Sequence, residues 1–238
     1  MIQTIPFLNL AIAFIPVIVG LIILFKWSLQ TGNAVYALSR MLVQLLLIGY
    51  LLTYIFSSES ALLVLAVLLV MVFSSSWIAL RTVKAQRKTL FLYALLAILV
   101  GGGLTLILIS QGVLALDPWY APQYLIPLAG MIFANSMNSV SLAGERIQAE
   151  MSRGVSYEAA RKIALQAALI PVVNSLFAVG LVSLPGMMTG QILSGISPLI
   201  AVRYQIMVMC MIFSSSIISG ATFLVLIKPM LLKDKHEH

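Results

Sequence analysis

Charged residues are scarce in this chain. Among 238 residues there are 14 Lys and Arg and 7 Asp and Glu, which makes 9% charged residues. A soluble domain carries about 25%. Hydrophobic residues make up 61% of the chain and recur in long apolar stretches. This composition excludes an ordinary soluble protein and predicts an all-α polytopic integral membrane protein, with residues 1–238 forming a single transmembrane domain.

The chain has a single cysteine, and it lacks the common nucleotide-binding motif. Cys210 is the single cysteine, so an intrachain disulfide is excluded. The chain has no Gly-x-x-x-x-Gly-Lys-Ser/Thr sequence, which excludes the phosphate-binding loop that such a motif forms. The chain is therefore predicted not to hydrolyse ATP by itself.

Ionisable side chains are missing from the cores of the apolar stretches. Ion-coupled carriers usually keep such groups at mid-membrane, and intramembrane hydrolases need a catalytic or metal-binding set. Their absence argues against both classes, although a sodium site made of carbonyl oxygens stays possible. Either the chain forms a passive pore, or a second protein supplies the energy.

Seven stretches are long and apolar enough to be predicted as transmembrane helices. They cover residues 5–25, 39–56, 61–80, 89–112, 124–143, 167–185 and 203–227. Basic residues concentrate in every second connection, namely 26–40, 81–88, 144–166 and the C-terminal tail. The positive-inside rule then predicts an outside N-terminus and a cytoplasmic C-terminus in a multi-pass protein of the inner or plasma membrane. Because the basic residues lie between spans, the net charge indicates the lipid bilayer and not nucleic acid as partner.

A segment rich in glycine and proline interrupts the apolar sequence at 180–198. It contains four glycines, two prolines and three serines. Such residues stop helices and permit tight turns, so a broken outer hairpin is predicted near 185–198. Two interpretations stay open: a plain outer turn, or an outer gate in which Met187, Met188 and Gln191 face a substrate path.

A few polar and sulfur-containing side chains lie inside the predicted spans. Asn135, Asn138 and Ser139 are three or four residues apart and share one helical face, and Asn174 lies in the next span. Met207, Cys210 and Met211 share a face of the last span. These side chains either line a substrate path or hold helices together. In membranes, amides and hydroxyls commonly form hydrogen bonds between helices, and methionines commonly fill the packing.

The connection 144–166 is predicted to be cytoplasmic and to contain a helix that docks a partner. Gly154 can end one helix, and Ser156 is a good N-cap for the next, with Glu158 in its first turn. Small side chains follow the cap and are flanked by basic ones: Ala159, Ala160, Arg161 and Lys162. A bulky residue at either alanine is expected to block docking and to leave the fold unchanged. The alternative is a linker helix that faces water and lipid headgroups.

Several of these segments resemble one family. The sequence Gly-x-Ser-x-Glu-Ala-Ala at 154–160 resembles the coupling loop of ABC-transporter permeases. The segments 39–52, 126–142 and 180–209, with Leu-Pro-Gly-Met-Met-Thr-Gly in the last, are similar to FetB-type iron-export permeases and their plant relatives implicated in aluminium tolerance.

The resemblance implies a non-enzymatic permease subunit that exports iron or a related metal complex. It implies a homodimer working with a separate ABC ATPase, which would hold ATP and Mg²⁺, while this chain needs no cofactor and its metal ligands stay unknown. Three alternatives are kept: an ATPase-independent channel or carrier, an ABC permease for a non-metal substrate such as a nucleotide sugar, and a structural membrane subunit.

Overall fold

A computed structural model describes residues 5–58, 60–83 and 86–234. Glu59, Lys84 and residues 235–238, which contributed to the predicted charge pattern, lie outside the described residues. Every regular element of the described chain is helical. The backbone groups into two compact units, the first ending at Ser58 and the second formed by the remaining residues. The prediction of a single domain therefore stays a prediction.

The first unit contains three helices, α1 (Phe7–Ile12), α2 (Phe14–Lys26) and α3 (Thr31–Phe56). The first two lie so close in sequence that Phe7–Lys26 forms one candidate span, and α3 forms another. Most side chains of these helices are exposed. Apolar exposed surfaces of this length are what lipid-facing helices require.

The second unit begins with α4 (Ala61–Ala79), which Ser60 caps by accepting a hydrogen bond from the Leu63 amide at 3.4 Å. The span that follows, Arg87–Val113, is helical throughout but changes type along its length. It consists of α5 (Arg87–Ile98), a π-helical stretch Leu99–Gly103, α6 (Leu104–Ile107) and a second π-helical stretch Leu108–Val113.

Four further helices of the second unit form the walls of the two cavities described below. They are α7 (Pro122–Ser152), α8 (Tyr157–Ala178), α9 (Gly186–Leu193) and α10 (Pro198–Leu226), and a short α11 (Lys228–Asp234) follows. Pro122 and Pro198 occupy the first positions of their helices, where the missing N–H group has no intrahelical role.

Several helix boundaries differ from the sequence prediction: α3 begins at Thr31 and not at 39, α8 at Tyr157 and not at 167, and α10 at Pro198 and not at 203. The fifth span does not end near residue 143, because α7 continues to Ser152, its charged end stabilised by an Arg146–Glu150 ion pair at 2.7 Å. The sixth span does not reach 185, because α8 ends at Ala178 and the chain turns through Gly180, which has a φ of +83°. The predicted hairpin near 185–198 contains the helix α9, so the break is a short helix between two turns.

Small residues bring the helices of the second unit together. A Cβ atom added to Gly101 would lie 2.5 Å from the backbone nitrogen of Ser219, so the span 87–113 and α10 touch backbone to backbone there. Ser139 of α7 donates a hydrogen bond to the carbonyl of Ser216 at 2.8 Å. Such contacts are the usual means of helix association in lipid, where burial of apolar surface gives no driving force.

Six helices or helix pairs of the described chain are long and apolar enough to cross a membrane. They correspond to the first five predicted spans and the last one. The predicted sixth span corresponds to α8, which does not meet the same criterion. Its first turns carry Glu158, Arg161 and Lys162, and charged residues lower the mean hydropathy of a helix.

Candidate functional site

A polar cleft of about 250 Å³ lies between α7, α8 and α10. Asn135, Asn138 and Ser139 line it together, as their spacing predicts. Ser175 and Ser216 contribute hydroxyl groups from the other two helices. The remaining lining is apolar: Leu142, Ala168, Pro171, Val172 and Ile212. The cleft therefore offers amides and hydroxyls, which bind by hydrogen bonds and not by charge.

Hydrogen bonds already engage part of this lining. Asn135 donates from Nδ2 to the Met131 carbonyl within its own helix at 2.8 Å. Ser139 joins α7 to α10 through Ser216, and Ser136 does the same through the Ser215 carbonyl at 3.5 Å. The serines thus serve as interhelical contacts, whereas Asn138 is exposed at the cleft. The interhelical role is therefore present at Ser139, and the substrate path stays a prediction.

The other residues predicted on a substrate path do not join this cleft. Asn174 is exposed and does not line it, although its neighbour Ser175 does. Met211 is buried and Met207 half-buried. Neither is among the residues that line the cavities of this region, so the shared face of Met207, Cys210 and Met211 does not form one sulfur-lined site.

A second, apolar cavity of about 530 Å³ lies between the end of α8, α9 and α10. Of the predicted path residues, Met188 and Cys210 line it, whereas Met187 and Gln191 do not. Gln205 also lines it and is buried, with an exposed fraction of 5%. The sequence analysis did not single out Gln205. The feature that could have marked it as a site residue is its polar carboxamide within the apolar sequence of α10.

The connection between α7 and α8 is a tight turn. Gly154 adopts a φ of +84°, which favours glycine, and ends α7 as predicted. Ser156 caps α8 by accepting a hydrogen bond from the Ala159 amide at 3.4 Å, also as predicted. The rest of 144–166 belongs to α7 or α8. The helix predicted after Ser156 is therefore the first part of α8, and its docking role stays a prediction.

Burial divides the predicted docking face. Gly154, Glu158, Ala159 and Lys162 are exposed and Arg161 is partly exposed, whereas Ala160 has an exposed fraction of 0%. Because Ala160 packs inside this chain, a bulky residue there would disturb the fold. The expectation that either alanine can be enlarged without effect on the fold is wrong for Ala160, and it stays a prediction for Ala159.

Tyr157 joins this turn to the last long helix. Its hydroxyl donates a hydrogen bond to the Leu224 carbonyl at 2.7 Å, and the side chain is buried. Burial raises the pKa of Tyr157, an effect that the nearby Arg161 guanidinium opposes, so the phenol stays a donor at neutral pH. Lys228 lies 5.1 Å from its ring and 3.7 Å from a Glu158 oxygen.

Three basic segments of the second unit meet at this end. Gln148 of α7 donates to Gln86 of the 81–88 connection at 2.7 Å. Tyr157 contacts the end of α10, from which the C-terminal segment continues. Glu150, which is nearly buried, accepts from Arg146 and Arg153 at 2.7 and 3.2 Å. One end of this unit thus collects the turn, the 81–88 connection and the C-terminal segment.

Metal-binding groups are a separate question. Within residues 5–58, 60–83 and 86–234, no group of three or more His, Cys, Asp and Glu side chains is placed to hold a metal ion.

Comparison with known proteins identifies similar membrane proteins in bacteria and plants. The probable iron export permease protein FetB of Escherichia coli is 39% identical over 228 residues, covering 89% of this chain and 86% of that protein. A UPF0014 membrane protein of Synechocystis is 38% identical over 208 residues, 79% of each chain. The protein ALUMINUM SENSITIVE 3 of Arabidopsis thaliana is 31% identical over 228 residues, covering 89% and 82%. No solved structure matches the chain.

A family model accounts for nearly the whole length of the chain. Residues 7–231 match the model described as uncharacterised protein family UPF0014, which covers every long helix described above. The resemblance to FetB-type permeases is therefore confirmed, and this multi-pass membrane protein belongs to the UPF0014 family.

Proposed function

We propose that this chain is the membrane-spanning permease subunit of an ABC transporter that exports iron or a related metal complex across the cell membrane. The similarity to the E. coli protein named as a probable iron export permease carries this proposal. A separate ATPase chain supplies the energy, and the permease acts as a homodimer. The chain itself performs no chemical step.

The proposed topology has seven spans, with α8 as the sixth and with the C-terminus in the cytoplasm. The meeting of three basic segments at one end of the second unit supports it, because basic connections concentrate on the cytoplasmic side. The apolar second half of α8, which contains Pro171 and Val172, supports its place as a span despite its charged beginning. The N-terminus then lies outside.

The polar cleft is the proposed substrate path. Amide and hydroxyl groups converge there from three helices, and Asn138 is exposed to it. Replacing both Asn135 and Asn138 with leucine should reduce transport about 10-fold or more. The polar groups of the substrate would lose their hydrogen-bond partners in the cleft, and such a loss is strongly unfavourable. The matched control is Asn174→Leu, an exposed amide outside the cleft. If the double variant transports at the normal rate, or the control loses as much, the path lies elsewhere.

The proposed contact with the ATPase is the turn and the exposed first turn of α8. Gly154 and Ala159 are small and exposed there, which allows close approach of a partner backbone, and the exposed Glu158 and Lys162 can form ion pairs with it. Arginine at Ala159 should reduce ATPase affinity about 10- to 100-fold, the cost of an ill-fitting group at an interface. The thermal stability of the permease should not change, because Ala159 is exposed. Ala159→Ser is the matched control and should bind normally.

Ala160→Arg provides the opposite contrast. Ala160 is fully buried, so this variant should lower thermal stability whether or not an ATPase docks here. A normal pull-down of the ATPase by the Ala159→Arg variant would contradict the docking proposal.

The deciding experiment for the substrate is ATPase stimulation in the reconstituted complex. Fe²⁺ and Al³⁺, each alone and as a chelate, are titrated against a metal-free control in vesicles that contain the permease and its ATPase. Stimulation by iron that the Asn135→Leu/Asn138→Leu variant abolishes would support iron export. A bound ATPase that no cation stimulates would contradict it, and a permease that transports without any ATPase would favour a channel or carrier.

A further inference from the structure

The apolar cavity between α8, α9 and α10 contains a buried carboxamide without a partner. Neither Nε2 nor Oε1 of Gln205 has a hydrogen-bond partner among the described residues. In known structures nearly every buried polar group has one. An unpaired buried carboxamide is costly, and the described part of the chain supplies no partner for it.

The lining of the cavity defines what that partner looks like. Apart from Gln205 and the sulfur atoms, the walls are aliphatic and aromatic, with Val202, Ile206 and Phe213 on α10. No charged side chain is among the lining residues, and burial of an unpaired charge is strongly unfavourable. The volume of about 530 Å³ lies within the usual range for small-molecule sites. A neutral, mostly apolar molecule fits these walls.

We propose that this cavity binds a neutral lipophilic molecule whose one polar group exchanges hydrogen bonds with the Gln205 carboxamide. An amide is the matched group, because it accepts from Nε2 and donates to Oε1 at the same time. Both atoms are buried beside the cavity that Gln205 lines, so binding requires a rotamer change of the Gln205 side chain that turns them toward the bound molecule. The proposal concerns binding alone, and neither an ATPase nor transport of a metal is needed for it.

Photolabelling of the full-length chain in phosphatidylcholine nanodiscs tests this site. The probe is decanamide with a diazirine at the end of its alkyl chain, and the competitors are decanamide, undecane and decyltrimethylammonium. Adducts are expected on the segments that contain Met188 and Val202–Phe213. Decanamide should suppress them about 10-fold more effectively than undecane or the charged analogue, as the loss of paired hydrogen bonds predicts.

The Gln205→Leu variant separates the hydrogen bonds from the apolar cavity. It should still be labelled, but decanamide and undecane should then compete equally within about twofold. The thermal stability of Gln205→Leu should equal or exceed that of the unmodified protein, because the substitution removes an unpaired polar group. Gln205→Met, which keeps the length of the side chain, serves as the second variant.

Three results would overturn the proposal. Adducts spread equally over the exposed face of α6, at Leu104 for example, would indicate ordinary lipid contact. Retained preference for decanamide in both Gln205 variants would exclude the carboxamide as the partner. An unlabelled cavity, together with cross-linking of Cys210 between two copies, would show that a second copy of the chain covers it.

Discussion

The closest contact between the Arg87–Val113 span and α10 provides a sharp test of the fold. An alanine Cβ at Gly101 would lie 2.5 Å from the backbone nitrogen of Ser219 and 2.9 Å from its Cα. A rotamer change cannot relieve a contact with backbone atoms, so the two helices must separate by a large part of an ångström. Gly103, two residues along the same π-helical stretch, has no atom within 4 Å of the equivalent position.

The expected magnitudes follow from these two environments. Overpacking costs about 1–3 kcal/mol, and a rigid backbone places Gly101→Ala at the upper end. Alanine stabilises a helix by about 1 kcal/mol relative to glycine, which offsets part of this cost. The net loss is about 2 kcal/mol, or about 30-fold in the unfolding equilibrium. For Gly103→Ala only the gain of up to about 1 kcal/mol remains.

Reversible unfolding of the purified chain in mixed micelles, by titration with sodium dodecyl sulfate, measures both variants. Gly101→Ala should unfold at a lower detergent fraction than the unmodified protein, and Gly103→Ala at an equal or higher one. If Gly101→Ala is as stable as Gly103→Ala, the two helices are not in backbone contact and the packing described here is refuted.

Two further predictions concern the turn between α7 and α8 and the topology. Tyr157→Phe removes the 2.7 Å hydrogen bond to Leu224 and should lower the free energy of unfolding by about 1 kcal/mol. The variant should still bind the ATPase but transport less substrate per ATP hydrolysed. Unchanged transport per ATP would contradict a role of this hydrogen bond in coupling the turn to α10. In a Cys210→Ser background, a cysteine that replaces the exposed Asp117 should react with an impermeant thiol reagent from outside. A cysteine that replaces the exposed Lys88 should react only after the membrane is permeabilised. Labelling of the Lys88 position from outside would contradict the proposed topology.

The positions of the spans could be predicted because lipid imposes a simple requirement. A helix across hydrocarbon needs about 20 apolar residues, and this requirement is local in sequence. The cap at Ser156 and the stop at Gly154 were predictable for the same reason, since each acts on the next few residues. Helix ends were less predictable: charged residues begin at Glu145, yet α7 continues, because ion pairs such as Arg146–Glu150 stabilise a helix outside the apolar run.

Contacts between distant segments could not be predicted from the single sequence. The burial of Ala160 depends on how α8 packs in the folded unit, and its sequence context of charged neighbours indicated a surface. The same limit applies to the candidate site. Spacing alone grouped Asn135 with Asn138, which are on one helix, but the cavity around Gln205 depends on residues from α8 and α9 that only the fold brings near.

The contacts described above that fix α10 lie in its second half, at Ser216, Ser219 and Leu224. Gln205 lies about 16 Å before Ser216 along the helix, at 1.5 Å per residue. The polar cleft at Ser216 is therefore part of the fixed segment, whereas the wall of the apolar cavity belongs to the other half of the helix. A bend of α10 between Gln205 and Ser216 would change the shape of the apolar cavity and leave the polar cleft in place.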